Sequence, residues 1–263
     1  MANNESWLKI FNDYEINKHP FEHEPFYLSS QQIKDSCRHF ANVAQKEVRI
    51  LCKQDSRKDR PKVFIDNGLF LLPVKNGDYA IVKGEGYVDI PDITSQTKTY
   101  NSKLDFKLET AEIGNSEMQH LDFAYASSLI RTFMDDDSLV LTIRGRKFTP
   151  EFSFNVGEQE INVKSVQTEI DAGFEGKEKI VLIEAKNSQT RDTIIRQLFY
   201  PYKQWKSYTQ KEVFLLFFEK RKTHYYIWQY GFTDEYNYNS IQLIKCAKYQ
   251  IEGLNKPDPK KET

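Results

Sequence analysis

The longest apolar runs in this chain are Val213 to Phe218 (VFLLFF) and the FLLPV segment from Phe70 to Val74. Runs of that length suit β-strands, and none approaches the ~18 apolar residues a membrane helix needs. The chain has 263 residues, 39% of them hydrophobic, with 18 Phe and 15 Tyr. That is enough to fill the core of one large domain or two small ones, which excludes a disordered or fibrous chain. Lys plus Arg number 37 against 38 Asp plus Glu, so only local clustering can speak for a nucleic-acid partner. Cys37, Cys52 and Cys246 lie far apart, with neither zinc spacing nor a disulfide framework, as in a reducing compartment. The first residues, MANNESWLKIFNDYE, lack a positive segment followed by an apolar one. A soluble, cytoplasmic protein is expected.

Residues 1–105 read as one α+β unit. Leu28 to Phe40 predicts a helix, with Ser29 or Ser30 as its cap and Ile33, Cys37 and Phe40 at helical spacing. Four strand-like runs follow (EVRILCK, KVFID, LFLLPV and DYAIVK), the last two separated by Lys75-Asn76-Gly77-Asp78, a hairpin signal. A helix followed by a hairpin is compatible with a winged-helix module that grips DNA, and equally with a small α+β domain that binds nothing. Between Lys46 and Lys62 seven Lys/Arg face three acids. Arg57, Lys58 and Arg60 in that stretch are candidate phosphate contacts, with a solvated loop as the alternative.

A polar stretch over 92–116 marks a loose boundary, and residues 106–255 form the second unit. Ser116 caps a predicted helix running on to Phe133. From Leu139 the pattern alternates: LVLTIRGRKF, FSFNV, INVKSVQTEIDAGFE and KIVLIEAKN read as strands. A helix candidate then spans Arg191 to Lys206, ahead of strands at VFLLFFEKR and HYYIWQYGF and an end region SIQLIKCAKYQI. Mixed strands with flanking helices indicate an α/β or α+β sheet domain. The tail 256–263 is expected to be disordered.

The chemistry concentrates between Gln167 and Lys203. Side chains two apart on a strand share a face, so Glu169 and Asp171 point together, as do Glu184 and Lys186. Ile180 to Ile183 reads as a buried strand delivering Glu184, and Gly173 and Gly176 lie where a hairpin must turn. Two close carboxylates can hold Mg²⁺, which acidifies water and stabilises charge on a phosphodiester. A neighbouring lysine can activate that water or neutralise the developing charge. An ion pair protecting a strand edge would carry the same letters, but polar groups at the end of a buried strand need a reason to be there.

Asp171 followed by Glu184-Ala185-Lys186 after a hydrophobic strand resembles the PD-(D/E)xK nuclease signature. The helix bearing Arg196-Gln197-Leu198-Phe199-Tyr200-Pro201-Tyr202 is similar to the Gln/Tyr-bearing helix of several branches of that superfamily. The strings around Arg144-Gly145-Arg146-Lys147-Phe148, EIDAGFE, IEAKN, RQLFYPY and YNSIQLIK resemble a family of bacterial type II restriction endonucleases, most strongly over residues 140–250. The resemblance implies a mixed sheet flanked by helices and Mg²⁺-dependent, sequence-specific cleavage of double-stranded DNA, with Mn²⁺ as a substitute cation. It implies Asp171, Glu184 and the carbonyl of Ala185 as metal ligands, Lys186 as the catalytic lysine, and Gln197 as a buttress. Glu117 matches the upstream glutamate that completes the metal site, and reads equally as an acid favoured at a helix start. Ile170 stands where the signature has proline, and Glu169 is an extra carboxylate able to replace Asp171.

From Asn187 to Lys222 eight basic residues face three acids. Arg191 and Arg196, with Arg144 and Arg146, join the candidate DNA contacts. HYYIWQYGF reads as strand packing rather than base stacking, and Asp135-Asp136-Asp137 as a loop. Neither a nucleophile elbow nor a phosphate-binding P-loop is present. Symmetric cleavage of a palindrome calls for a homodimer, and the resemblance implies a separately encoded protective methyltransferase. The rival readings are a structure- or modification-directed repair nuclease of the same fold and a DNA-binding protein that has lost catalysis.

Overall fold

The apolar runs pair with one another across long stretches of sequence. The computed structural model of the protein describes residues 3–106, 108–112, 116–187 and 189–252, so the tail 256–263 lies outside the described residues. The chain begins with α1 (Asn3–Asp13), β1 (Phe26–Ser29), α2 (Ser30–Cys37), α3 (Val48–Leu51), α4 (Lys62–Asp66), β2 (Leu69–Lys75) and β3 (Asp78–Lys83). Ser29 caps α2 in a reciprocal box with Gln32. Gly77 takes φ +86° in the β2–β3 turn, a conformation glycine adopts without steric cost. The order β1-β3-β2 makes a small antiparallel sheet.

Two of the strand-like runs are helices. In α3 Val48 and Leu51 are buried while Arg49 and Ile50 between them are exposed, and in α4 only Phe64 is buried. Packing against Trp7, Phe11 and Ile33 selects this helical burial over the β-propensity of Val and Ile. The β2–β3 hairpin does not stand out as a wing. One face, with Leu69, Leu71 and Ile81, lies in that core. The other, with Phe70, Leu72 and Val82, packs on the second unit.

The rest of the chain contributes β4 (Tyr87–Asp89), β5 (Lys98–Asn101), α5 (Glu117–Ala126), α6 (Leu129–Met134), β6 (Val140–Phe148), β7 (Phe152–Val156) and β8 (Gln159–Val163). Then come β9 (Gln167–Glu175), β10 (Lys179–Lys186), β11 (Asp192–Ile194), α7 (Arg196–Tyr208), β12 (Glu212–Arg221), β13 (His224–Phe232) and β14 (Ile241–Glu252). A seven-stranded mixed sheet runs in the order β5-β14-β13-β12-β10-β9-β6. β9 is antiparallel to both β6 and β10, α7 lies between β10 and the parallel β12, and β13 and β14 return antiparallel. β5, within residues read from sequence as part of the first unit, pairs with β14 at the edge of this large sheet.

Both faces of the sheet are covered, which is why its central strands are nearly continuous apolar runs. Val181, Ile183 and Leu216 meet Leu121, Leu129 and Ile130 of α5 and α6. On the opposite face Ile180, Leu182, Leu215 and Phe217 meet Leu198 of α7. The predicted helix from Ser116 to Phe133 is two helices, because Ser128 takes φ +65° between them. The predicted helix start at Arg191 is instead β11, drawn out of helix by pairing with β4. Gly176 does sit in the β9–β10 turn, but Gly173 lies within β9 opposite Leu182. A Cβ on Gly173 would come 2.6 Å from the Cβ of Ile143, so close packing, not turning, requires glycine there.

Candidate active site

β9 is irregular where the chemistry sits. Ile143 of β6 pairs with Gly173 and Gly145 with Ile170, so β9 advances three residues while β6 advances two. The extra residue is a β-bulge at Asp171–Ala172, a device that re-aims side chains and ends regular pairing. The β9–β10 ladder accordingly ends at Ala172 and Ile183. Beyond it the Asp171 carboxylate stands in for a backbone partner: its Oδ2 accepts the N–H of Ala185 at 2.7 Å.

This places Asp171 against the Glu184-Ala185-Lys186 tripeptide. Glu184 lies at the end of the buried strand β10, with 8% of its surface exposed, and its Oε1 accepts a hydrogen bond from Lys186 Nζ. Burial pushes the Glu184 carboxyl up to about 7, aided by the nearby Asp171 and opposed by Lys186. Burial also raises Asp171, against the pull of the Ala185 N–H and Lys186, while Glu117 and Glu169 push the same way as burial. Burial works against the Lys186 charge, but the Glu184 carboxylate, its hydrogen bond and Asp171 outweigh it and hold the ammonium above its ordinary range.

Glu117 opens α5 behind its cap Ser116 and reaches the same strand end, where its Oε1 accepts the N–H of Asn187 at 3.1 Å. Glu169 shares the cleft but is paired with Arg146 at 3.1 Å. Gln197 accepts a hydrogen bond from the Thr193 hydroxyl at 2.7 Å and lines the cleft from α7. That cleft, about 290 Å³, is walled by Asp171 and Glu184 on the sheet side and by Arg196, Gln197 and Tyr200 on the helix side. Among the described residues, no group of three or more His, Cys, Asp and Glu is gathered to hold a metal. The donor set here is two carboxylates and a backbone carbonyl, which suits a hard cation that keeps several waters.

The remaining candidates divide. Lys58 and Arg191 are exposed. Arg57 is held by Asp89, by Glu85 at 3.4 Å and by Asp192 at 3.8 Å, so it ties the two units together. Arg60 lies over the Tyr87 ring and donates to the Leu69 carbonyl at 3.2 Å. Arg144 turns inward, bonding Asp122 and donating to the carbonyl of Asp171 at 3.1 Å. Sequence reasoning missed that role, and it missed Asp55, which lies 3.6 Å from Arg196. It also missed Glu219, fully buried opposite Lys186 in the β10–β12 register. Neither alternation nor spacing carries a signal for such distant pairings.

No helix of the described residues is long and apolar enough to cross a membrane. A family model described as Domain of unknown function (DUF6997) matches residues 82–250. A second, described as Domain of unknown function (DUF6996), matches residues 4–81, so the junction between the two falls within β3. No curated protein and no solved structure matches the chain.

Proposed function

We propose that this chain, which belongs to the family described as Domain of unknown function (DUF6997), is a Mg²⁺-dependent endonuclease of the PD-(D/E)xK type that cleaves double-stranded DNA at a specific sequence, as a type II restriction enzyme does. One observation carries the reading: Asp171, Glu184 and Lys186 meet at the broken end of the β9–β10 ladder, where Asp171 and Glu184 line a cleft.

The carboxylates suit a divalent cation because burial raises both and Glu117 and Glu169 push Asp171 the same way, with Lys186 opposing. Asp171, Glu184 and the Ala185 carbonyl would hold the ion, with Glu117 beside them. Bound there, Mg²⁺ supplies charge neutralisation for a phosphodiester and acidifies water. The protein's own groups do the positioning. The Ala185 N–H fixes the Asp171 carboxylate, Arg144 fixes the bulge carbonyl behind it, and Lys186 keeps its proton at Nζ beside Glu184. Sequence-specific cutting on both strands would use a homodimer, and a separately encoded methyltransferase would protect host DNA.

The test is a digest of unmethylated phage DNA with Mg²⁺, run beside Lys186→Ala and an EDTA control. Discrete bands absent from both controls are expected, and sequencing their ends names the site. No cleavage, or a smear unchanged by Lys186→Ala, sinks the restriction reading and directs attention to branched or modified DNA.

A further inference from the structure

Arg196 opens α7 and forms part of the cleft wall facing Asp171 and Glu184. Its guanidinium is incompletely used. Nε is buried with no hydrogen-bond partner among the described residues, and Nη2 stands 3.6 Å from Asp55 Oδ1, an ion pair too long for a hydrogen bond. A buried guanidinium N–H without an acceptor is costly, and its fork matches the paired oxygens of a phosphate.

Asp55 comes from the other unit. Its segment docks at the start of α7 through backbone groups: Ile194 N–H donates to the Asp55 carbonyl at 2.9 Å, and Arg57 N–H donates to Asp192 at 2.6 Å. The adjacent Gln54 is 2% exposed with neither amide atom partnered, so the docked segment does not satisfy all its polar groups. The Asp55 charge also adds weakly to the rise of the Glu184 carboxyl. A carboxylate from residues 4–81 thus stands beside the arginine that lines the cleft.

Resting on the nuclease reading above, we infer that Arg196 is the receptor for a backbone phosphate of the bound nucleic acid, and that Asp55 is its resting counter-ion, displaced when the phosphate enters. The first unit would then set the affinity of the second unit's cleft for its substrate, which gives a physical reason for the two to be joined. Because the docking bonds of Asp55 are made by its backbone, its side chain can be changed without undocking the segment.

The test is a double-mutant cycle on the full chain, using Asp55→Asn, Arg196→Gln and the pair. Binding of a fluorescent double-stranded oligonucleotide is followed by anisotropy in EDTA, where no cleavage occurs. Asp55→Asn is expected to tighten binding roughly two- to five-fold, the scale of losing a partly exposed competing charge. Arg196→Gln is expected to weaken it by about tenfold or more, and the double variant should match Arg196→Gln. Equal tightening by Asp55→Asn in both backgrounds would reduce Asp55 to general repulsion and overturn the inference, as would no change or weaker binding with an unaltered thermal midpoint. If Asp55→Asn unfolds the chain, Arg196→Lys decides: full wild-type affinity overturns the inference, and a loss smaller than that of Arg196→Gln supports it. Cleavage by wild type with a flat cycle removes this inference alone. The expected cycle without any Mg²⁺-dependent cleavage removes the nuclease reading alone.

Discussion

The Asp171 carboxylate accepts the backbone N–H of Ala185 at 2.7 Å, so one side chain both closes the β9–β10 ladder and offers its second oxygen to the cleft. The two tasks separate by substitution. Asp171→Asn keeps an oxygen acceptor and should leave the thermal midpoint nearly unchanged, while Mg²⁺-dependent cleavage falls at least ~100-fold for want of a charged ligand. Asp171→Ala should lose cleavage and also about 1–3 kcal/mol of stability, since a buried N–H is left without its partner. Urea unfolding beside the digest measures both.

Arg144 and Arg191 were grouped as phosphate contacts by sequence, yet only Arg191 is exposed. Arg144 holds the Asp171 carbonyl and Asp122. Log affinity for DNA falls linearly with log salt, and losing one phosphate contact lowers that slope by about 1. Arg191→Ala should lower it so. Arg144→Ala should leave the slope intact and reduce cleavage by about tenfold or more, because the bulge loses its support. A lower slope for Arg144→Ala would return that residue to the DNA surface.

The pH dependence of stability follows from Glu184. Its carboxyl titrates at about 7 when folded against an ordinary 4.5, so between these values the folded chain binds more protons than the unfolded one. Stability therefore falls as pH rises through that window and stays low above it, by roughly 1–3 kcal/mol. The thermal midpoint of the metal-free protein should drop between pH 5 and pH 8, and Glu184→Gln should flatten the profile. Mg²⁺ should raise the midpoint at pH 8 in wild type and not in Asp171→Asn. A midpoint indifferent to Mg²⁺ would argue against a cation between these carboxylates.

Glu219 is fully buried and accepts hydrogen bonds from Thr190 N at 2.8 Å and Arg221 Nε at 2.6 Å. Arg221 in turn stacks over Tyr226 and Trp228. Removing one partner of a buried pair strands the other charge, so Arg221→Ala should cost about 3 kcal/mol in chemical denaturation. Burial already raises the Glu219 carboxyl, so the loss should shrink as the pH falls and protonation spares the stranded group.

Much of the sheet was legible. Apart from β11, the strands from β6 to β14 follow the alternation and the apolar runs, and the Ser29 and Ser116 caps stand where hydroxyls precede helical periods. The Glu184-Ala185-Lys186 group was legible for a related reason. A buried strand that ends in charges is a local contradiction, visible in eight consecutive letters.

What failed to read were features decided by partners far along the chain. Val48 to Leu51 and Lys62 to Asp66 became helices because Trp7 and Phe11 offered a surface to pack against. Asp192 to Ile194 became a strand because Tyr87 to Asp89 lay beside it. The bulge at Asp171, the inward turn of Arg144 and the approach of Asp55 to Arg196 arise the same way. The sequence by itself determined which residues alternate, which are buried and which carry charge, since those depend on side-chain chemistry and a period of two or 3.6 residues. Only the tertiary structure decided which charges meet, because that depends on strand register and on the docking of one unit against another, to which residues distant in sequence contribute equally.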